Sequence, residues 1–183
     1  MTVVSYCSID KNGVIAGDEK IYGGQDTDIL SYFDNILKYF QISYPKFAKM
    51  GAMAKLGFLT AEILLSRIPE VKTEYSPFDC GVLMSNSSSS LDADFNYWET
   101  VGQIASPSAF VYTLPNVVNA EICIRNGFKG ENIFFLADNF AASGVFEYAN
   151  SLFESGNLKF CLCGWVEFLK NDYNSVIFAV KKN

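Results

Sequence analysis

Two hydrophobic periods alternate along the chain. Apolar, largely β-branched residues run from Val3 to Ile9, Lys11-Asn12-Gly13 supplies a turn, and Val14-Ile15 follows. That pattern predicts an opening strand with a hairpin-like return, set at one edge of the main sheet. Ile29, Phe33, Ile36 and Phe40 then recur at helical spacing with Leu30 and Leu37 beside them, and Asp26 or Thr27 stands where a cap belongs. From Tyr44 to Arg67 the pattern is apolar over most of the helical circumference, which marks a helix enclosed by protein. Ala52, Ala54, Gly57 and Ala61 let neighbouring backbones approach it, at a cost of about 1 kcal/mol for an interior glycine.

Cys80 to Met84 is short and apolar, hence a buried strand, and it runs into Ser85-Asn86-Ser87-Ser88-Ser89-Ser90. Helical signals resume at once with Phe95, Trp98 and Val101, so the serines predict a tight loop rather than a linker between domains. Asp92 and Asp94 are a close carboxylate pair, but two residues apart on a helix they face different ways and do not form an acid/base couple. Thr113-Leu114-Pro115-Asn116 reads as a helix start and Gly127 as its stop, with Glu121 and Arg125 spaced for an ion pair. Ile133 to Ala137 lacks a polar residue to mark a wet face and predicts a strand covered on both sides. A strand-to-helix junction follows at Asp138-Asn139-Phe140-Ala141-Ala142-Ser143, then a helix ended by Gly156. Leu158 to Cys163 and Ser175 to Val180 are the last strands, with a turn at Asn171-Asp172. The expectation is one domain over residues 1–183, α/β in class, with a five-stranded mixed sheet and helices on both faces.

Composition narrows the function. Half of the 183 residues are hydrophobic and only 19% are charged, which supports a packed globule. A net charge of -6 offers phosphate backbones no attracting field, so nucleic acid is not an expected partner. It gives no support for docking an acidic carrier protein either, outside a local patch of Lys46, Lys49, Arg125 and Lys129. With no signal-peptide pattern and no apolar run near about 18 residues, the expectation is a cytoplasmic protein with no membrane partner. Gly13, Gly17, Gly23 and Gly24 match neither a dinucleotide fingerprint nor a P-loop, so no cofactor is expected. The five cysteines read as buried thiols. Cys161 and Cys163 share one strand face, but with no histidine in the chain no metal site is expected.

A strand-to-helix junction displays one side chain at a helix start, a common place for a nucleophile in α/β proteins. Here that side chain is Asn139, whose amide cannot act as a thiol or hydroxyl does. Ser106-Pro107-Ser108, Thr113-Leu114-Pro115-Asn116, Glu121-Ile122 with Ile124-Arg125, Gly127-Phe128-Lys129-Gly130 and this elbow together resemble the N-terminal half of a β-ketoacyl-acyl-carrier-protein synthase, of the thiolase fold. Tyr44-Pro45-Lys46-Phe47-Ala48-Lys49-Met50 resembles the ketosynthase helix after the first strand, and Gly164-Trp165-Val166-Glu167 the strand end where Gly-Gly-x-Glu is usual, so Trp165 departs from the pattern and puts the loop geometry in question. The resemblance implies that the elbow's catalytic cysteine falls nine positions after Gly130, at Asn139; matched instead on Ala142-Ser143-Gly144 it falls at Ala141. Neither is a thiol.

What the resemblance implies is a ketosynthase-like subunit of the chain-length-factor kind, without condensation activity, paired with an active ketosynthase or with itself, and meeting acyl carrier protein. Ile133, Phe134, Phe135 and Leu136 would form the dimer strand, and Met84, Thr113, Asn139 and Phe140 a pocket or tunnel for the growing chain. The serving pathway is fatty acid, polyketide or aryl-polyene synthesis. Two alternatives stay open: a small acyl-transfer enzyme with Ser143 as nucleophile, and a self-associating structural protein.

Overall fold

The computed structural model describes residues 1–24, 28–102, 104–140 and 142–183. Strand β1 (Thr2–Asp10) turns back into β2 (Gly13–Ala16) and β3 (Glu19–Tyr22), and α1 (Ile29–Tyr39) follows. Asp28 caps α1, its Oδ1 accepting the N–H groups of Leu30 and Ser31 at 3.0 and 3.1 Å. The expected caps Asp26 and Thr27 lie outside the described residues. A 3₁₀ turn at Phe47–Lys49 leads to α2 (Ala52–Ser66) and the short α3 (Val71–Glu74). After a 3₁₀ turn at Pro77–Asp79 come β4 (Cys80–Asn86), α4 (Leu91–Val101), α5 (Pro107–Val111), α6 (Val117–Asn126), β5 (Asn132–Leu136), α7 (Ala142–Glu154), β6 (Phe160–Leu169) and β7 (Asp172–Lys181).

The strands form one mixed sheet in the order β3-β2-β1-β7-β6-β4-β5. β4 lies parallel to both β5 and β6, and the remaining pairs are antiparallel. The sheet therefore has seven strands rather than five. The Val14-Ile15 return is a strand in its own right, and Glu19-Lys20-Ile21-Tyr22 adds a second one that the hydrophobic pattern does not announce. Glutamate and lysine are poor strand formers in a sheet interior and acceptable at an edge, where they keep other chains from pairing. The first strand is correspondingly an inner one, flanked by β2 and β7.

Side chains alternate between two cores. One face carries Cys7, Ile9, Val82, Met84, Leu162, Val166, Ile177 and Ala179 against Phe33 and Ile36 of α1, Leu56, Leu59 and Ile63 of α2, and Val118 and Ile122 of α6. The other carries Leu83, Cys161, Cys163 and Val180 against Val145, Ala149, Leu152 and Phe153 of α7. Helices thus cover both faces, as the alternation of elements predicts. The Cys161 and Cys163 sulfurs lie 3.5 Å apart in the second core, and burial pushes the Cys161 thiol well up, away from reactivity.

Two expectations for side chains fail in informative ways. β5 is not enclosed. It is an edge strand, half-buried at Ile133, Phe134 and Phe135, and Leu136 is 62% exposed. Arg125 does not pair with Glu121 along α6: its Nε reaches Glu62 of α2 at 2.9 Å, with the guanidinium 5.6 Å from the Tyr44 ring centre. Glu121 is buried and accepts instead the hydroxyls of Tyr44 at 2.8 Å and Tyr112 at 3.3 Å. A buried carboxylate needs donors, and two phenols on neighbouring elements provide them.

α2 is the helix on which the larger core is assembled, and it packs close to its neighbours at Gly57. A Cβ at Gly57 would stand 2.4 Å from the Val118 side chain and 3.3 Å from Val166. Gly57→Ala should therefore destabilise the fold by about 1–2 kcal/mol, overpacking outweighing the roughly 1 kcal/mol gained in helix propensity. The urea midpoint measures it. An unchanged or raised midpoint would show that α6 yields without cost.

Candidate functional site at the carboxyl ends of the parallel strands

β4, β5 and β6 run in one direction, with Asn86 opposite Leu136 and Ser85 opposite Trp165. Open α/β sheets place their sites outside the carboxyl ends of such strands. Here those ends deliver the serine loop after β4 and the elbow after β5, while β6 continues past the same level through Glu167.

The serine loop is clamped at both sides. Asn86 donates from Nδ2 to the Ser89 carbonyl at 2.8 Å and accepts the Ser89 N–H on Oδ1 at 2.9 Å, which holds Ser89 in the left-handed region at φ 54. Glu167 Oε2 accepts the Ser87 N–H at 2.8 Å, the Ser87 hydroxyl at 2.6 Å and the Ser88 N–H at 3.3 Å, and Oε1 accepts the Ser88 hydroxyl. Burial works against a charge on Glu167, but the hydroxyl and N–H donors of Ser87 and Ser88 outweigh it and hold the carboxyl below the usual carboxylate range. Ser90 donates its hydroxyl to the Thr113 carbonyl at 2.6 Å, and the Asp92 carboxylate accepts the Lys170 N–H at 2.8 Å. The loop and the start of α4 are thereby fixed to three other segments. It is a tight loop, as the resumption of helical signals predicts, and the Ala137 N–H bonded to the Asn86 carbonyl at 3.0 Å sets the elbow beside it.

At the elbow Asp138 and Asn139 are exposed. Phe140 turns back onto the α7 face of the sheet, stacked 6.3 Å from Phe178 and 5.9 Å from Trp165, with Phe146 edge-on to Phe178 at 5.5 Å. Trp165 does not distort a loop. β6 runs on to Leu169, and Trp165 sits buried in mid-strand opposite Val176. Its indole supplies the wall that Phe140 packs on. Ala141 lies outside the described residues, and Ser143 is exposed on α7 with its hydroxyl bonded to no described residue.

Among the described residues, the four expected to line a pocket or tunnel are not brought onto one face of the sheet. Met84 is fully buried on the face covered by α2 and α6, whereas Phe140 lies on the α7 face. Thr113 receives Ser90 through its carbonyl and spends its own hydroxyl on Phe110 at 2.7 Å. A cavity of about 240 Å³ does open beside Thr113, lined by Met50, Met53, Tyr112, Leu114 and Phe168 among others. Sequence reasoning missed it, because its lining comes from five elements far apart in the chain. Tyr112 and Leu114 flank the expected Thr113, the one signal that pointed near it. Of the expected basic patch, Arg125 is taken by Glu62 and Lys129 lies 5.5 Å from the Phe78 ring centre. Among the described residues no three His, Cys, Asp or Glu side chains gather as a metal site, and no helix is long and apolar enough to cross a membrane.

No family model matches the sequence, and no curated protein does. Solved structures match the fold. The ishigamide ketosynthase/chain length factor superposes with a TM-score of 0.73 at 14% identity, over 98% of this chain and 61% of that one. The ketosynthase ApeO in complex with its chain length factor ApeC, from Xenorhabdus doucetiae, gives 0.62 at 13% identity over 100% of this chain and 79% of that one. AntDE:AntF, a type II polyketide synthase acyl-carrier protein in complex with its ketosynthase bound to the hexaketide, gives 0.64 at 11% identity over 98% and 62%. The fold is the mixed α/β, thiolase-like fold of ketosynthases and chain length factors. The chain spans about three fifths of the length of the ishigamide structure.

The Glu167 clamp carries a pH signature. Its carboxyl titrates lower folded than unfolded, so it contributes stability at pH values above the unfolded range near about 4.3, and that contribution is lost as pH falls through the folded value. Glu167→Gln should cost about 1–3 kcal/mol at neutral pH, the worth of hydrogen bonds to a charged group, and flatten the acid side of the stability profile. Urea midpoints taken at a series of pH values read both effects. An acid limb of unchanged slope in the variant would refute the assignment.

Proposed function

We infer that the chain is a catalytically silent ketosynthase-like subunit, similar in role to a chain length factor, which pairs with an active ketosynthase in a cytoplasmic type II fatty acid, polyketide or aryl-polyene system. The observation that carries this reading is the exposed amide of Asn139 at the elbow, on a ketosynthase fold, in a chain with no histidine. Condensation needs a nucleophile that takes the acyl group, and groups that move protons and stabilise the oxyanion. An amide does not serve the first need. Burial pushes the thiols of Cys7, Cys80 and Cys123 up to about 12, 11 and 11, which keeps them protonated wherever they sit.

Pairing through β5 is supported by its place at the sheet edge, where among the described residues one row of backbone N–H and C=O groups has no strand beside it. Ile133, Phe134, Phe135 and Leu136 give that edge an apolar character without the charges that blunt β3. Further exposed apolar side chains lie on α4 and after it, with Trp98 74% and Ile104 89% exposed. Solved neighbours pair a ketosynthase with its chain length factor and with an acyl-carrier protein, which favours the same classes of partner here. The Ser143 alternative gains nothing from the geometry, since no described residue bonds its hydroxyl to activate it.

The test is co-expression with ketosynthases encoded beside it, followed by co-purification. A stable complex is expected, weakened at least tenfold by Leu136→Lys, because an exposed lysine on an edge strand opposes pairing. A monomer that ignores every such ketosynthase, or a covalent acyl adduct formed by this chain alone from a carrier-bound donor, would overturn the reading.

A further inference from the structure

The cavity between α2, α4, α5 and α6 lies on the opposite face of the sheet from the ring cluster at the elbow. Met50, Ala54, Val118 and Phe168 form its buried interior, and Met53, Ala93, Tyr112, Leu114 and Val117 complete the walls. At about 240 Å³ it exceeds the roughly 150 Å³ of an engineered apolar cavity that takes up benzene. A single ring with a short substituent fits that space. Two thioethers, Met50 and Met53, and two rings, Tyr112 and Phe168, meet there, and both groups make favourable contacts with an aromatic guest.

The polar groups of the interior are already engaged. The Tyr112 hydroxyl is held by Glu121, the Ser90 hydroxyl by the Thr113 carbonyl, and the Asp92 carboxylate accepts from Lys170 N–H and from Asn96 Nδ2 at 3.1 Å. The guest therefore has an apolar body. The rim is different: Lys49, Asn96 and Ser108 are exposed there, and Lys49 forms no ion pair with any described residue. An unpaired ammonium at the mouth of an apolar pocket selects a single negative charge at the outer end of the guest.

We propose that this cavity is a binding site for a small monocyclic aromatic carboxylic acid, its ring between Met50, Met53, Tyr112 and Phe168 and its carboxylate at Lys49. The site reads out on the chain alone, so its failure leaves the pairing with a ketosynthase untouched, and the reverse holds too.

The experiment is a titration of the full chain, labelled with ¹³C at the methionine methyls, with 3-phenylpropanoate. Of the four methionines, Met50 and Met53 line the cavity, whereas Met84 is buried within β4 outside its lining and Met1 is at the amino terminus. Saturable ring-current shifts at Met50 and Met53, with Met84 and Met1 unmoved, are expected. Lys49→Met, an exposed substitution, should weaken binding about tenfold, as loss of a charge-assisted contact does. Ala93→Phe should fill the cavity and abolish the shifts, with the unperturbed Met1 and Met84 signals showing that the fold persists. Octanoate should bind more weakly than the aromatic acid. Absence of saturable shifts at millimolar acid, equal affinity in Lys49→Met, or tighter binding of octanoate would each overturn the proposal.

Discussion

A carboxylate drawn out of water must find donors, and at Glu167 the donors are the first two residues of a loop that would otherwise have little reason to hold one shape. Serines contribute no packing. Left to themselves, Ser87 to Ser90 would be a floppy connection between a buried strand and a helix with no fully buried residue. The anion changes that, because each loop conformation that fails to point N–H and O–H groups at it leaves a charge unsatisfied. The position of α4 depends on that loop through Ser90 and Asp92, the cavity wall depends on α4, and the elbow depends on β4 through the Asn86 carbonyl. One side chain on β6 thus fixes the loop at the end of β4 from which α4 departs.

The same end of the sheet shows how a familiar frame is filled differently. Phe140 folds from the elbow onto Trp165 and Phe178, so aromatic rings occupy the ground on the α7 side of the junction. Trp165 can be accommodated because β6 is regular there, paired without a register shift to both neighbours. On the other face the space remains open, walled by Met50, Met53, Tyr112 and Phe168 with no ring from the elbow. The two faces have divided the labour: one is packed shut next to Asn139, the other keeps a hollow.

Much of this was legible from residues in order. Periodicity locates α1, α7 and the inner strands, since their apolar positions repeat at the spacing that burial on one side imposes. The glycine at position 127 announced the end of α6, and it takes the left-handed φ of 72 that such an ending needs. What escaped was whatever depends on partners distant in sequence. β3 is a strand because β2 offers it an open edge, not because Glu19 and Lys20 favour one. Glu121 and Arg125 have ideal spacing for each other, yet tyrosines and Glu62 arriving from other helices outcompete it. β5 follows the same rule: an apolar strand reads as enclosed, and nothing local says that one of its sides has no neighbour in this chain's described sheet.

The two rims of the sheet are chemically unequal. β3 carries Glu19 and Lys20 outward, with Glu19 in an ion pair with Arg67 at 3.8 Å, while β5 carries no charged side chain. A ribbon that can be extended on only one side cannot propagate. Association through β5 would consume the uncharged margin of the described sheet and leave charged borders at both outer limits, which opposes growth into a fibre.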